Sequence, residues 1–210
     1  CPEGVLLLTQ GVDCQIDRLE VSTWGWGKGE EAFLIDHVQL WGDPHQAEVW
    51  KQLQIVINQQ YEHENGKSLV SVMTAIDSGG LHTSEVYQFT REKVAQGVIA
   101  IKGQSQANKP VIGRPSRVDI NFRKINKAIK KGGLVYPLGV DTIKNTLIGR
   151  LKNNKIGSKG YIHFHADTSE EYFKQLTAER QILKTNRAGF QIPQWVLPNN
   201  VRNECLDCFV

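Results

Sequence analysis

The sequence predicts an α/β fold: a mixed sheet opened by an antiparallel three-stranded meander, continued by parallel strands, with helices on both faces. Two patterns carry this expectation. The first forty residues hold three strand signals joined by turn chemistry, and the stretch 69–101 reads strand, helix, strand at the spacing of a right-handed parallel crossover.

The meander strands are Val5 to Asp13, Arg18 to Trp26 and Glu31 to Leu40. Leu19, Val21 and Thr23 alternate with Glu20, Ser22 and Trp24, and the links Cys14-Gln15-Ile16-Asp17 and Gly27-Lys28-Gly29-Glu30 are turn sequences. Gly42-Asp43-Pro44 ends the meander; Asp43 as cap and Pro44 as first helical residue predict a helix to about Tyr61, with Val49, Leu53, Val56 and Ile57 inward. Asn65-Gly66-Lys67 turns the chain into Leu69 to Ile76, an apolar run typical of a strand covered on both faces. Thr83 caps a predicted helix through about Ala95, and Val98 to Ile101 is the next strand.

Pro110, Gly113 and Pro115 mark Gln104 to Pro115 as an exposed loop. A short basic helix is expected at Asn121 to Lys131, a short strand at Leu134 to Tyr136, a helix from Asp141 to about Leu151 and a strand at Gly160 to Phe164. Helices are then expected at Glu170 to Gln175, Thr177 to Lys184 and Arg202 to Val210, the last breaking off at the chain end.

At 210 residues, 40% hydrophobic and 22% charged, the composition is that of an ordinary globular protein, and no apolar stretch approaches the roughly 20 residues of a membrane span. With no charged-then-apolar leader and only four cysteines, a reducing, cytosolic setting is expected. The formal charge of +3 is unevenly spread: nine basic residues face one acid, Asp119, between Lys102 and Gly132. That segment suits a polyanion, with Lys102, Arg114, Arg117, Arg123, Lys124, Lys127, Lys130 and Lys131 as the candidate contacts; a solvated basic loop is the bland alternative.

Asp13 and Asp77 each follow an apolar run, and Asp207 lies in the closing Asn203-Glu204-Cys205-Leu206-Asp207. Apolar surroundings penalise an ionised carboxylate unless a cation or donor compensates it. Carboxyl ends of strands are where functional groups gather in such sheets. If the two strands are adjacent, the aspartates require a cation between them, and hard oxygen ligands select Mg²⁺ or Mn²⁺ over zinc. Two strand-end aspartates with a third acid on a helix is the layout of two-metal phosphodiester cleavage; ordinary turn aspartates are the alternative.

Other features read as structural. Cys205 and Cys208 are expected to be small buried thiols, His163 and His165 lack a third ligand, and Trp24, Trp26 and Trp41 are expected to pack in the core or at its edge. The run Gly25-Trp26-Gly27-Lys28-Gly29 sits in a hairpin, and no Gly-x-x-x-x-Gly-Lys-Ser/Thr phosphate loop is present, so ATP binding is not expected.

Taken together, Gly11-Val12-Asp13, Arg18-Leu19-Glu20, Trp24 to Glu31 with Leu34-Ile35-Asp36, Asp77-Ser78-Gly79-Gly80, Ile101-Lys102-Gly103, Gly139 to Lys144, His163-Phe164, Gln175 to Glu179 and Arg202 to Cys208 form an ordered set spanning nearly the whole chain. In this set the sequence resembles the nuclease domain of the large terminase subunit of tailed bacteriophages, in the lambda-like branch. The resemblance implies an RNase H-like fold and metal-dependent endonucleolytic cutting of concatemeric phage DNA, in a single nuclease domain over residues 1–210 whose ATPase motor is absent. It implies two Mg²⁺ or Mn²⁺ ions held by Asp13, Asp77 and Asp207, with Glu204 one helical turn away as a further candidate and Glu20 a weaker one. Implied partners are double-stranded DNA, the terminase ATPase domain, the small terminase subunit and the portal of the procapsid, within the cytoplasm of the bacterial host.

Two rivals are weighed. A restriction-type nuclease pairs its aspartate with a strand bearing Glu-x-Lys, but Ala100-Ile101-Lys102 has alanine at the acid position. A non-catalytic DNA-binding or assembly module would use the basic segment alone.

Overall fold

The computed structural model describes residues 1–106, 108–122, 127–153, 155–185 and 187–210, without the side chains of residues 122 and 127. The meander is present as β1 (Leu7–Cys14), β2 (Arg18–Trp26) and β3 (Ala32–Trp41), β2 antiparallel to both neighbours. The chain continues through α1 (Ala47–Ile57), the two-residue strands β4 (Tyr61–Glu62) and β5 (Ser68–Leu69), β6 (Ser71–Asp77), α2 (Thr83–Arg91) and β7 (Val98–Gln104). Then come β8 (Ser116–Phe122), β9 (Lys127–Gly139), α3 (Val140–Leu151), β10 (Ile162–His163), α4 (Glu170–Leu176), β11 (Arg180–Thr185), β12 (Gln191–Val196) and α5 (Glu204–Asp207).

The main sheet has eight strands in the order β10-β3-β2-β1-β6-β7-β9-β8, with β6 parallel to β1 and β7, and β9 parallel to β7. An antiparallel meander joined through its first strand to parallel strands, with helices on both faces, is the expected α/β, RNase H-like arrangement. One face carries α1 and α2 on a core of Val12, Leu19, Val21, Ile76, Val98, Ala100 and Ile120. The other carries α3, α4 and α5 on Trp24, Leu34, Leu147, Leu176 and Leu206. Each buried aliphatic side chain contributes about 2 kcal/mol, so this two-sided burial is what holds β1 and β2 rigid.

Several boundaries differ from expectation. Helix α1 starts at Ala47 and ends at Ile57: the Asp43 carboxylate accepts the backbone N–H of His45, the Pro44 carbonyl accepts the indole N–H of Trp50, and Tyr61 pairs with Leu69 instead of extending the helix. The Thr83 hydroxyl donates to the carbonyls of Ser78 and Gly80 rather than capping, and α2 gives way to a 3₁₀ turn at Val94–Gln96. Gly97 closes that turn with φ 79°. The start of β6 is not covered on both faces, because Val72 and Met73 are exposed.

The basic segment is not a helix where it is described. Residues 116–122 and 127–139 pair as a hairpin, because Val118, Ile120 and Ile129 direct their side chains into the α1–α2 core with the two-residue period of strands. The expected strand Leu134 to Tyr136 is the middle of the long β9. Residues 180–185 likewise form β11, antiparallel to β12, where a helix over Thr177 to Lys184 is expected; Gly189, with φ 86°, lies in the link. The final helix is only the single turn Glu204–Asp207.

Candidate active site

Val12 lies opposite Ile76 in the parallel pairing of β1 with β6, so Asp13 and Asp77 close neighbouring strands at their carboxyl ends. Since Val12 and Ile76 point into the α1–α2 core, side-chain alternation puts both aspartates on the other face, under α5. That helix rests directly on β1: a Cβ built at Gly11 would collide with the Cys208 carbonyl, so only glycine admits the close approach. Phe209 stacks on Trp24 with ring centroids 3.6 Å apart and pins the same turn. Asp207 is thereby brought within electrostatic reach of the two strand-end aspartates, although the ligand oxygens of the three do not all lie within 4.8 Å of one another.

Their electrostatics record this convergence. Burial pushes the Asp13 carboxyl up to about 6, against a 2.6 Å hydrogen bond from the Gln15 amide and reinforced by repulsion from Asp77, Glu204 and Glu20. Burial raises Asp77 as well, opposed by the backbone N–H groups of Gly79 and Ser78 and by the charge of Lys102. Asp207 is pushed up to about 7, by burial first, with Lys144 opposing and Asp13, Glu179 and Asp77 adding repulsion. A largely apolar cavity of about 450 Å³ lies beside the cluster between β1, β6, β7 and α3, with Asp207 in its wall.

Lys144, on α3, is buried with its ammonium 2.5 Å from Glu179 Oε1 and 3.9 Å from Asp207 Oδ1. Asn203 donates to the same Glu179 oxygen at 2.9 Å. The lysine is therefore the nearest fixed cation to Asp207 among the described residues.

Glu20 and Glu204 occupy a second, charge-balanced layer. Glu20 lies across from Asp13 and is fully buried; Arg18 Nε donates to it at 2.7 Å, Arg202 Nη2 at 2.9 Å and Gln39 Nε2 at 3.1 Å, and His37 Nε2 lies 3.1 Å away. Burial would raise its carboxyl, but the bonds from His37 and Arg18 outweigh it and hold the group at about 2. Glu204 accepts from Arg18 Nη2 and from Arg202 Nε, each at 3.1 Å. Both carboxylates thus face two guanidinium groups.

Of the basic residues, Lys102, Arg114, Arg117, Lys130 and Lys131 are exposed, the last four around the β8–β9 hairpin at the sheet edge. Arg123 and Lys124 lie outside the described residues, as does the Lys127 side chain. Cys205 and Cys208 are buried free thiols; burial raises both, Cys205 to about 12. His163 stacks on Phe33 at 4.2 Å, and among the described residues it joins no cluster of metal-ligating groups. Arg18, His37, Lys144, Glu179 and Arg202 carry no assigned role from sequence, although most lie inside the segments on which the resemblance rests. Arg18 and Arg202 each meet one carboxylate two residues away, Glu20 and Glu204, but the cross-links Arg18–Glu204, Arg202–Glu20, His37–Glu20 and Lys144–Glu179 join residues too far apart in the chain for spacing to reveal them.

Among the described residues, no helix is long and apolar enough to cross a membrane. No solved structure matches the chain. Two large terminase subunits do match over the whole chain: that of Escherichia phage lambda at 34% identity and that of Enterobacteria phage P21 at 31%. The chain spans about a third (32%) of the length of each relative. A family profile described as "Terminase large subunit gpA, endonuclease domain" covers residues 1–210, and the chain belongs to this family.

Proposed function

We propose that the chain, acting as one nuclease domain, cuts concatemeric phage DNA during genome packaging by two-metal phosphodiester hydrolysis, with Asp13, Asp77 and Asp207 as metal ligands. The observation that supports this most directly is that Asp13 and Asp77 close neighbouring strands beneath the α5 turn, with burial raising all three carboxyl groups and Asp207 feeling the charges of both. Such a set fits hard divalent cations, because it supplies several oxygens and a negative charge that Lys102 and Lys144 offset only in part. Mg²⁺ or Mn²⁺ would supply a water nucleophile at neutral pH and stabilise charge on the leaving oxygen.

The chain's own residues hold this arrangement. Gln15 and the Gly79 N–H fix the orientation of Asp13 and Asp77, and Lys144 supplies a positive charge beside Asp207. Glu204 and Glu20, engaged by Arg18 and Arg202, fit a bracing role for α5 against β2 better than a ligand role. Lys102 and the exposed basic residues around β8 and β9, with Arg123, Lys124 and Lys127 between them in sequence, are proposed to follow the phosphate backbone of duplex DNA without selecting sequence. A terminase ATPase motor, the small subunit and the portal are the expected partners, in the host cytoplasm.

The test is incubation of supercoiled plasmid with this chain under Mg²⁺, Mn²⁺ or chelator. Nicking that requires metal and disappears in Asp77→Asn, while DNA binding persists, supports the reading. Binding without nicking under any metal would favour the non-catalytic packaging module, and nicking that survives Asp77→Asn would remove the assigned site.

A further inference from the structure

The loop that leaves Asp77 runs into the amino end of α2, and there a second set of ligating groups gathers on the opposite face of the sheet. His45 comes from the loop between β3 and α1, His82 from the residue before α2 and Glu85 from its first turn. His45 Nδ1 lies 2.9 Å from Glu85 Oε1, the two imidazole rings are 4.6 Å apart, and one ligand atom from each of the three residues lies within 4.8 Å of the others.

A simple hydrogen bond between His45 and Glu85 accounts for only part of this geometry. It leaves Glu85 Oε2 buried with no hydrogen-bond partner among the described residues. A buried carboxylate oxygen without a donor costs about 1–3 kcal/mol unless a ligand takes it up. Asp43 adds a second carboxylate at the edge of the group. Its carboxylate accepts the backbone N–H of His45 at 2.8 Å. A cleft of about 520 Å³ gives solvent access to His45 and Glu85.

Two imidazoles and a carboxylate are the donor set of borderline transition metals; Mg²⁺ prefers oxygen and retains its water. We propose that His45, His82 and Glu85 bind one zinc-class dication, which clips the loop before α1 to the amino end of α2 and braces the segment that follows Asp77. This site is separate from the aspartate cluster in face, donor chemistry and metal, and it does not depend on the nuclease reading.

The experiment uses the 210-residue chain stripped with chelator, reloaded with zinc chloride and passed through gel filtration before metal analysis. It is run on the wild type, on the Asp77→Asn/Asp207→Asn variant, and on His45→Ala and Glu85→Gln, with circular dichroism to confirm folding. His45 is exposed, so its variant keeps the fold test informative where the buried His82 would not. One zinc per chain is expected in the wild type and in the double aspartate variant. Affinity should fall roughly tenfold or more in His45→Ala and Glu85→Gln, since even outer partners of a metal site are worth that much. Cobalt(II) should give visible absorption in the first two proteins and none in the last two. Absence of zinc from the wild type overturns the proposal, as does zinc that persists in both His45→Ala and Glu85→Gln or that leaves only with the aspartates. Nicking is not a readout here, so either outcome leaves the test of the nuclease site intact.

Discussion

Asp13 and Glu20 face each other across β1 and β2, yet their carboxyl groups are displaced in opposite directions, to about 6 and about 2. The difference lies in their partners: Glu20 meets Arg18, Arg202, Gln39 and His37, whereas Asp13 receives one amide and three like charges. A single cross-strand pair therefore separates a carboxylate closed in by cations from one surrounded by like charges.

The first prediction is a pH-dependent stability of the metal-free protein. Asp13 titrates above its unfolded value near 4, so its contribution is present below that pH and is lost as pH rises through about 6; Asp207 acts in the same sense up to about 7. Thermal melting in chelator should fall between about pH 4 and 7 and level off above. Asp13→Asn should recover up to about 3 kcal/mol at pH 8 and almost nothing at pH 4. Asp207 is more exposed, so Asp207→Asn should recover less. Mg²⁺ should stabilise the wild type and neither variant to the same degree.

Glu20 should behave in the reverse way. Its contribution is present above its unfolded value and is lost as pH falls through about 2. Glu20→Gln leaves buried guanidinium charge poorly matched and should cost roughly 3 kcal/mol at neutral pH, read by urea denaturation.

Lys144 and Glu179 form a buried pair, so removing one partner strands the other. Lys144→Met should cost about 3 kcal/mol, and the double variant Lys144→Met/Glu179→Gln should recover most of it. A double-mutant cycle in urea measures the coupling; additive losses would refute it.

Gly11→Ala forces apart β1 and the turn that holds Asp207. Overpacking of this kind costs about 1–3 kcal/mol, and the displacement should reduce metal-dependent nicking far more than the stability loss alone would. Comparing nicking with melting temperature separates the two effects.

Lys130 and Lys131 are exposed on the hairpin, so Lys130→Ala/Lys131→Ala should leave the melting temperature unchanged. The slope of log affinity for duplex DNA against log salt should become shallower by about 2.

The meander and the crossover to β7 are legible in the sequence because alternation and turn chemistry are local. Asp13 and Asp77 are legible for the same reason, as carboxylates ending apolar runs. Asp207 is not: nothing near it in the chain announces that Gly11 will admit it, and only the resemblance brings it into the set. Lys144 is likewise defined by a partner distant in sequence, as are the contacts of Arg18 with Glu204 and of Arg202 with Glu20. The two hairpins are hidden by composition, since Lys and Arg favour helix by propensity, whereas Val118, Ile120 and Ile129 obey the core they face.

Because Asp13 comes from β1 and Asp207 from α5, at opposite ends of this fold, the two carboxyl groups become neighbours only after everything between them has folded and the α5 turn has docked on Gly11.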